Sequence, residues 1–188
     1  MSKSKISKIY AQSPQVGKLQ SSIVDNQGNI VLKGLTGSAL SFVIAETFKK
    51  TDTPFLLILD DKEEAAYQLN DLELLIGEKD VLFYPGSYRR PYQIEETDNA
   101  NVLLRAEVLN RINSRKRPAV IVTYPDALFE KVVTRRELDK NTQKLQLGDT
   151  LSLDFQNAVL TEYPFIREGF VTGPGEFTVR GGRLDVFA

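Results

Sequence analysis

The chain has 188 residues, 41% hydrophobic and 26% charged, an ordinary composition for one soluble domain or one domain with part of another. Its net charge of −1 supplies no global field for nucleic acid, and the absence of cysteine excludes disulfides and thiolate chemistry. The absence of histidine excludes a histidine base, triad or metal ligand. No apolar run approaches the ~20 residues of a membrane span. The polar, lysine-bearing stretch Met1 to Lys8 lacks the apolar core of a secretory signal, so a cytoplasmic protein without membrane contact is expected.

Residues 1–30 read as a polar N-terminal extension with scattered apolar positions, Ile6, Ile9 and Tyr10, compatible with a short surface helix. A turn signal, Asn26-Gln27-Gly28, precedes Asn29-Ile30-Val31-Leu32, which reads as a strand leading to Gly34. From Ser38 the apolar positions Leu40, Val43, Ile44 and Phe48 mark one face of a helix. Phe55 to Leu59 is a continuous apolar run of the kind found in buried parallel strands. Asp61 is placed to N-cap the next helix, with Glu64 completing a capping box.

Val81-Leu82-Phe83-Tyr84 is the third strand, stopped by Pro85-Gly86. After a polar segment from Ser87 to Asn99 comes a helix with the stripe Val102, Ala106, Leu109, Ile112. Ala119 to Thr123 is the fourth strand, and Pro125 stands at the start of another helix. Alternating strands and helices predict a mainly parallel, doubly wound α/β sheet over 31–143. The composition then changes. A short helix near Leu153 to Glu162 and β-type runs at 165–171, 177–180 and 183–187, joined by glycine-rich turns, predict a small, mainly antiparallel unit over 144–188. The last strand should offer an uncovered edge.

Gly34-Leu35-Thr36-Gly37-Ser38-Ala39-Leu40-Ser41 has the spacing of a phosphate-binding loop without its working parts. Such a loop needs Gly-x-x-x-x-Gly-Lys-Ser/Thr, the glycines to bring backbone N–H groups round the phosphates and the lysine as their counter-ion. Gly34 and Ser41 are in place, but Ala39 stands for the second glycine and Leu40 for the lysine. The expectation is a nucleotide-binding fold without nucleotide binding, catalytic residues, metal or cofactor. Asp60-Asp61, at the end of an apolar run, superficially resembles a magnesium-binding motif, yet capping accounts for it better.

These pieces together resemble the N-terminal, UvrB-like module of bacterial transcription-repair coupling factors (Mfd), which is itself similar to the first domains of the excision-repair protein UvrB. The resemblance runs from about Leu32 to Ala188 and rests on Gly34-Leu35-Thr36-Gly37-Ser38, Leu82-Phe83-Tyr84-Pro85, Arg90-Pro91-Tyr92, Leu147-Gly148-Asp149 and the run Pro174 to Phe187. UvrB keeps an intact phosphate loop; Mfd-type modules lose it, as here. In that family the module recruits UvrA to stalled RNA polymerase in transcription-coupled nucleotide excision repair. The resemblance implies a fragment that is not itself an enzyme, from a parent resembling an ATP-dependent DNA translocase. ATP and magnesium belong to motor domains outside these residues, as do the contacts to RNA polymerase and DNA. The chain stops inside the segment that forms the small UvrA-binding domain.

The resemblance places a partner-binding surface on Arg167 and Arg180, with Phe165, Phe170, Thr178 and Arg183 around them. Arginine suits an acidic surface because its planar fork can hold a carboxylate bidentately. The family usually carries an aliphatic residue where Arg183 stands, so its direction tests the strand register. If 172–176 were a simple hairpin loop, Glu168 would lie opposite Arg180 and Arg167 on the opposite face from it. Two other readings compete: an ATP-binding helicase-like domain using Gly34 to Ser41, and a DNA-binding module using Arg89, Arg90 and the cluster Arg111, Arg115, Lys116, Arg117. That cluster lies at a helix C-terminus, where cations also offset the helix dipole.

Overall fold

The computed structural model describes residues 3–25, 28–87, 98–132, 134, 136–137, 143–162 and 165–187. It is an α/β protein of two compact units, 1–86 with 107–129 and 87–106 with 130–188. No helix among the described residues is long and apolar enough to cross a membrane.

The first unit is built on strands β1 (Phe55–Ile58), β2 (Val81–Tyr84) and β3 (Val120–Thr123), all parallel, in the order β1-β3-β2. The expected runs at 55, 81 and 119 therefore do form strands. All four residues of β3 are buried, as expected for a central strand with a partner on each side. Thr123 satisfies its buried hydroxyl by donating to the Tyr84 carbonyl at 2.8 Å. Helix α4 (Lys62–Ile76) links β1 to β2. Its Asp61 cap is as read from the sequence: the carboxylate accepts from the Glu64 N–H at 2.8 Å.

Helix α3 (Ala39–Thr51) buries more than the one face its periodicity predicts. Ile44 and Phe48 enter the core beside the sheet, while Val43 joins Val16 and Leu19 in a second cluster. That second cluster draws in residues 3–24. They form α1 (Lys3–Ala11) and α2 (Pro14–Val24), and both pack on α3. Tyr10 stacks on Phe42 at 5.1 Å. The signals were present: Pro14 occupies the first turn after an extended Ser13, and Val16, Leu19 and Ile23 fall on one helical face.

Two further expectations give way. Residues 29–32 form no strand; Ile30, Val31 and Leu32 are exposed at 41%, 75% and 44%. An apolar run becomes a strand only where a sheet edge pairs with it, and among the described residues no strand pairs with 29–32. In α5 (Asn99–Ser114) the predicted stripe is displaced: Val102 and Ile112 are exposed, whereas Arg105 and Val108 are buried. A buried arginine hides from any periodicity that counts only apolar residues. Arg105 lies 3.4 Å from Glu130, whose carboxylate also accepts from the Ser87 backbone N–H and hydroxyl.

The second unit holds α6 (Leu153–Glu162) and strands β4 (Ile166–Arg167), β5 (Glu176–Arg180) and β6 (Arg183–Phe187). The helix Pro125–Phe129 of the first unit starts at Pro125 as expected. The late sheet is mixed: β5 and β6 are antiparallel, in line with the mainly antiparallel unit expected, but β4 and β5 are parallel. The run 165–171 pairs over only two residues. The chain then loops through Gly169, Gly173 and Gly175 and re-enters in the same direction, a return that a two-residue strand leaves room for. Glu176 fastens this loop by accepting from the backbone N–H groups of Thr172 (2.7 Å) and Gly173 (2.9 Å).

Candidate functional site

The loop from Gly34 to Ser41 keeps the backbone habit of its glycines, with φ of 81° at Gly34 and 54° at Gly37. The side chains have other employment. Leu40 packs against the main core cluster. Ser41 is fully buried, and its hydroxyl lies 2.6 Å from Gln68 Oε1 and 3.2 Å from Asp71 Oδ2, both on α4. In an intact loop the serine at this position is a magnesium ligand; here its single proton is shared between two helix side chains. Ala39 is the first residue of α3, and its N–H bonds to the Thr36 carbonyl at 3.2 Å. Ser38 precedes the helix without capping it through its side chain.

Asp61 is occupied as the α4 cap. In the basic cluster, Arg111 donates to the Lys79 carbonyl at 2.9 Å and lies 3.9 Å from Asp80, which Arg117 also grips. Two of the four cations are thus ties within the first unit. Arg115 holds a left-handed backbone (φ 48°) just past the helix end. Arg89, Arg90 and the anchor Arg90-Pro91-Tyr92 lie outside the described residues.

In the second unit the structure joins some of the expected partner-binding residues and separates others. Gly181-Gly182 closes a two-residue turn, so Arg180 and Arg183 are direct cross-strand partners. Arg183 points outward, its side chain 75% exposed. The Arg180 guanidinium lies 4.6 Å from the centroid of the Phe170 ring, and Phe170 is 71% exposed. Phe165 is half-buried just before β4, and Thr178 is buried. The hairpin geometry assumed from sequence is replaced: Arg167 is the register partner of Phe177, and Glu168 does not lie opposite Arg180. Because Phe177 and Arg180 are three apart along β5, Arg167 still falls on the face opposite Arg180. It is exposed and forms no ion pair among the described residues.

One residue of this face escaped the sequence reading. Asp185 accepts from Arg183 Nε at 2.6 Å and from Arg180 Nη2 at 3.2 Å. The hydrogen bond from Arg183, then that from Arg180, holds its carboxyl below the usual carboxylate range. The signal was the spacing: after a two-residue turn, positions 180, 183 and 185 share one face.

No family model matches the chain. Curated relatives do match it. The transcription-repair-coupling factor of Bacillus subtilis (strain 168) is 30% identical over 158 residues, covering 84% of this chain and 13% of that protein. That of Staphylococcus haemolyticus (strain JCSC1435) is 28% identical over 160 residues, 85% of this chain and 14% of its own length. That of Rickettsia bellii (strain RML369-C) is 26% identical over 151 residues, 79% of this chain and 13% of its own. The chain spans only 13% to 14% of these relatives' length. Within that span, the chain belongs to the transcription-repair-coupling factor family.

Proposed function

We propose that the chain is a non-catalytic docking module that recruits the repair protein UvrA, within a parent that couples repair to RNA polymerase and moves on DNA with ATP. In this reading the first unit is a degenerate, doubly wound phosphate-loop fold. Residues 144–188 begin the UvrA-binding domain, and the protein works in the cytoplasm. The observation that carries the non-catalytic half is the burial of Ser41 against Gln68 and Asp71, with Leu40 in the core, where a nucleotide site needs a free hydroxyl and a cation. The docking half draws support from Arg180 and Arg183. Both are exposed, both are pinned at one end, and each keeps most of its five donors for a partner's carboxylates.

Arg167 faces the other way, but it sits on β4, an edge strand two residues long. A partner reaching round that edge meets both faces, so no bulge is needed to bring it into one interface. The test is a titration of the chain with purified UvrA, wild type against Arg180→Glu and Arg167→Glu. Weakened binding by folded variants supports the reading; unchanged binding by the double variant moves the interface elsewhere. Calorimetry with ATP-magnesium tests the other half, and saturable micromolar binding would contradict it.

A further inference from the structure

The face that carries Arg180 has the makings of a nucleic-acid platform. An exposed aromatic ring, Phe170, lies beside one guanidinium, and a second guanidinium stands directly across the turn. Stacking rings interleaved with arginines are what single-stranded nucleic acid binds without sequence preference. Like charges placed directly opposite on neighbouring strands repel, and Asp185 lies between them, bonded to both. The trio therefore carries a net charge of +1, not +2. The other acid on this face of β5, Glu176, is committed to the Thr172 and Gly173 N–H groups.

We propose that Asp185 is a specificity-determining residue, an embedded like charge that turns phosphate backbones away from this arginine–phenylalanine face. A phosphodiester chain brings a row of anions past the pair of guanidiniums, so at least one must approach the Asp185 carboxylate. A protein carboxylate can instead take the outward N–H groups of one arginine and leave Asp185 in place. Rejection of the wrong partner by a built-in repulsive group is a general route to specificity. The inference concerns what the face excludes and stands whether or not UvrA is its partner.

The experiment is fluorescence anisotropy of a labelled oligothymidylate with the full chain, wild type against Asp185→Asn, over a range of salt. The variant is expected to bind at low salt where the wild type does not. Its affinity should fall about sevenfold between roughly 50 and 200 mM salt, the loss two phosphate contacts on a single strand produce. Adding Arg180→Gln and Arg183→Gln to the variant should remove the binding, and Phe170→Ala should weaken it. A folded Asp185→Asn protein that binds no tighter than wild type overturns the proposal, as does wild-type binding of equal strength through the same arginines. If Asp185→Asn does not fold, Asp185→Ser is read in its place. Failure of both to fold would make Asp185 a structural residue and overturn the proposal equally.

Discussion

The loop at the start of α3 and the turn at the tip of β5 and β6 both bear side chains suited to anions, yet one is closed and the other open. At the loop, the serine hydroxyl is buried and consumed by two side chains of a neighbouring helix, and the would-be cation is a leucine in the core. At the turn, two exposed guanidiniums are each tied through a single nitrogen to one carboxylate. Residue type alone therefore does not make a binding site. What separates the two is whether the polar group's hydrogen-bonding capacity is spent inside the fold.

The comparison can be broken most forcefully at the sheet beneath the open site. Phe177 is 1% exposed, and Phe177→Ala should destabilise the second unit by about 3–5 kcal/mol. Denaturant unfolding should show that loss together with loss of any binding through the turn. A change at Arg180 should do the reverse. Arg180→Ala is expected to lower UvrA affinity by about 1.5–3 kcal/mol, the size of one charge-assisted hydrogen bond. Arg180→Glu should cost more, by adding repulsion against an acidic partner. Either change should leave stability within about 0.5 kcal/mol, as is usual for exposed positions. A large stability loss at Arg180 would erase the distinction between the two sites.

At the closed site, Ser41→Val should destabilise the first unit by about 1–3 kcal/mol, the cost of leaving buried Gln68 short of a partner. An unchanged unfolding midpoint would show that the serine is not tied down. The smallest effect is expected with pH. Backbone hydrogen bonds from Thr172 and then Gly173 hold the Glu176 carboxyl below its usual value of 4.5. Its contribution is thus fully present above that value and is lost as pH falls through the lower folded one. Wild type should lose more stability than Glu176→Gln between neutral pH and pH values below the carboxylate range. Equal losses would mean that the carboxylate does not fasten the 172–175 loop.

The parallel core was legible because its strands are short apolar runs separated by helical periodicity, and the Asp61 cap because capping is a local interaction. Leu40 was legible as part of the apolar face of α3, but the burial of Ser41 against Gln68 and Asp71 was not. What the sequence hid depends on partners distant along the chain. Ile30 to Leu32 look like a strand but pair with none among the described residues, and the buried Arg105 meets Glu130, which lies far along the chain. The parallel pairing of β4 depends on the path of an eight-residue loop rather than on any pattern in the strand. The spacing of Asp185 from Arg180 and Arg183 is open to view in the sequence, but its bonds to both depend on the pairing of β5 with β6.

In the proposed reading this fold docks a protein through its open site and holds no nucleotide at its closed one. Calorimetric titration of the chain with UvrA in the absence of ATP, in parallel with ATP-magnesium alone, tests it most directly. The expected result is saturable UvrA binding that Arg180→Glu weakens, and no heat of ATP binding in the micromolar range. Micromolar ATP binding by the wild type, with UvrA binding absent or indifferent to Arg180 and Arg167, would contradict it.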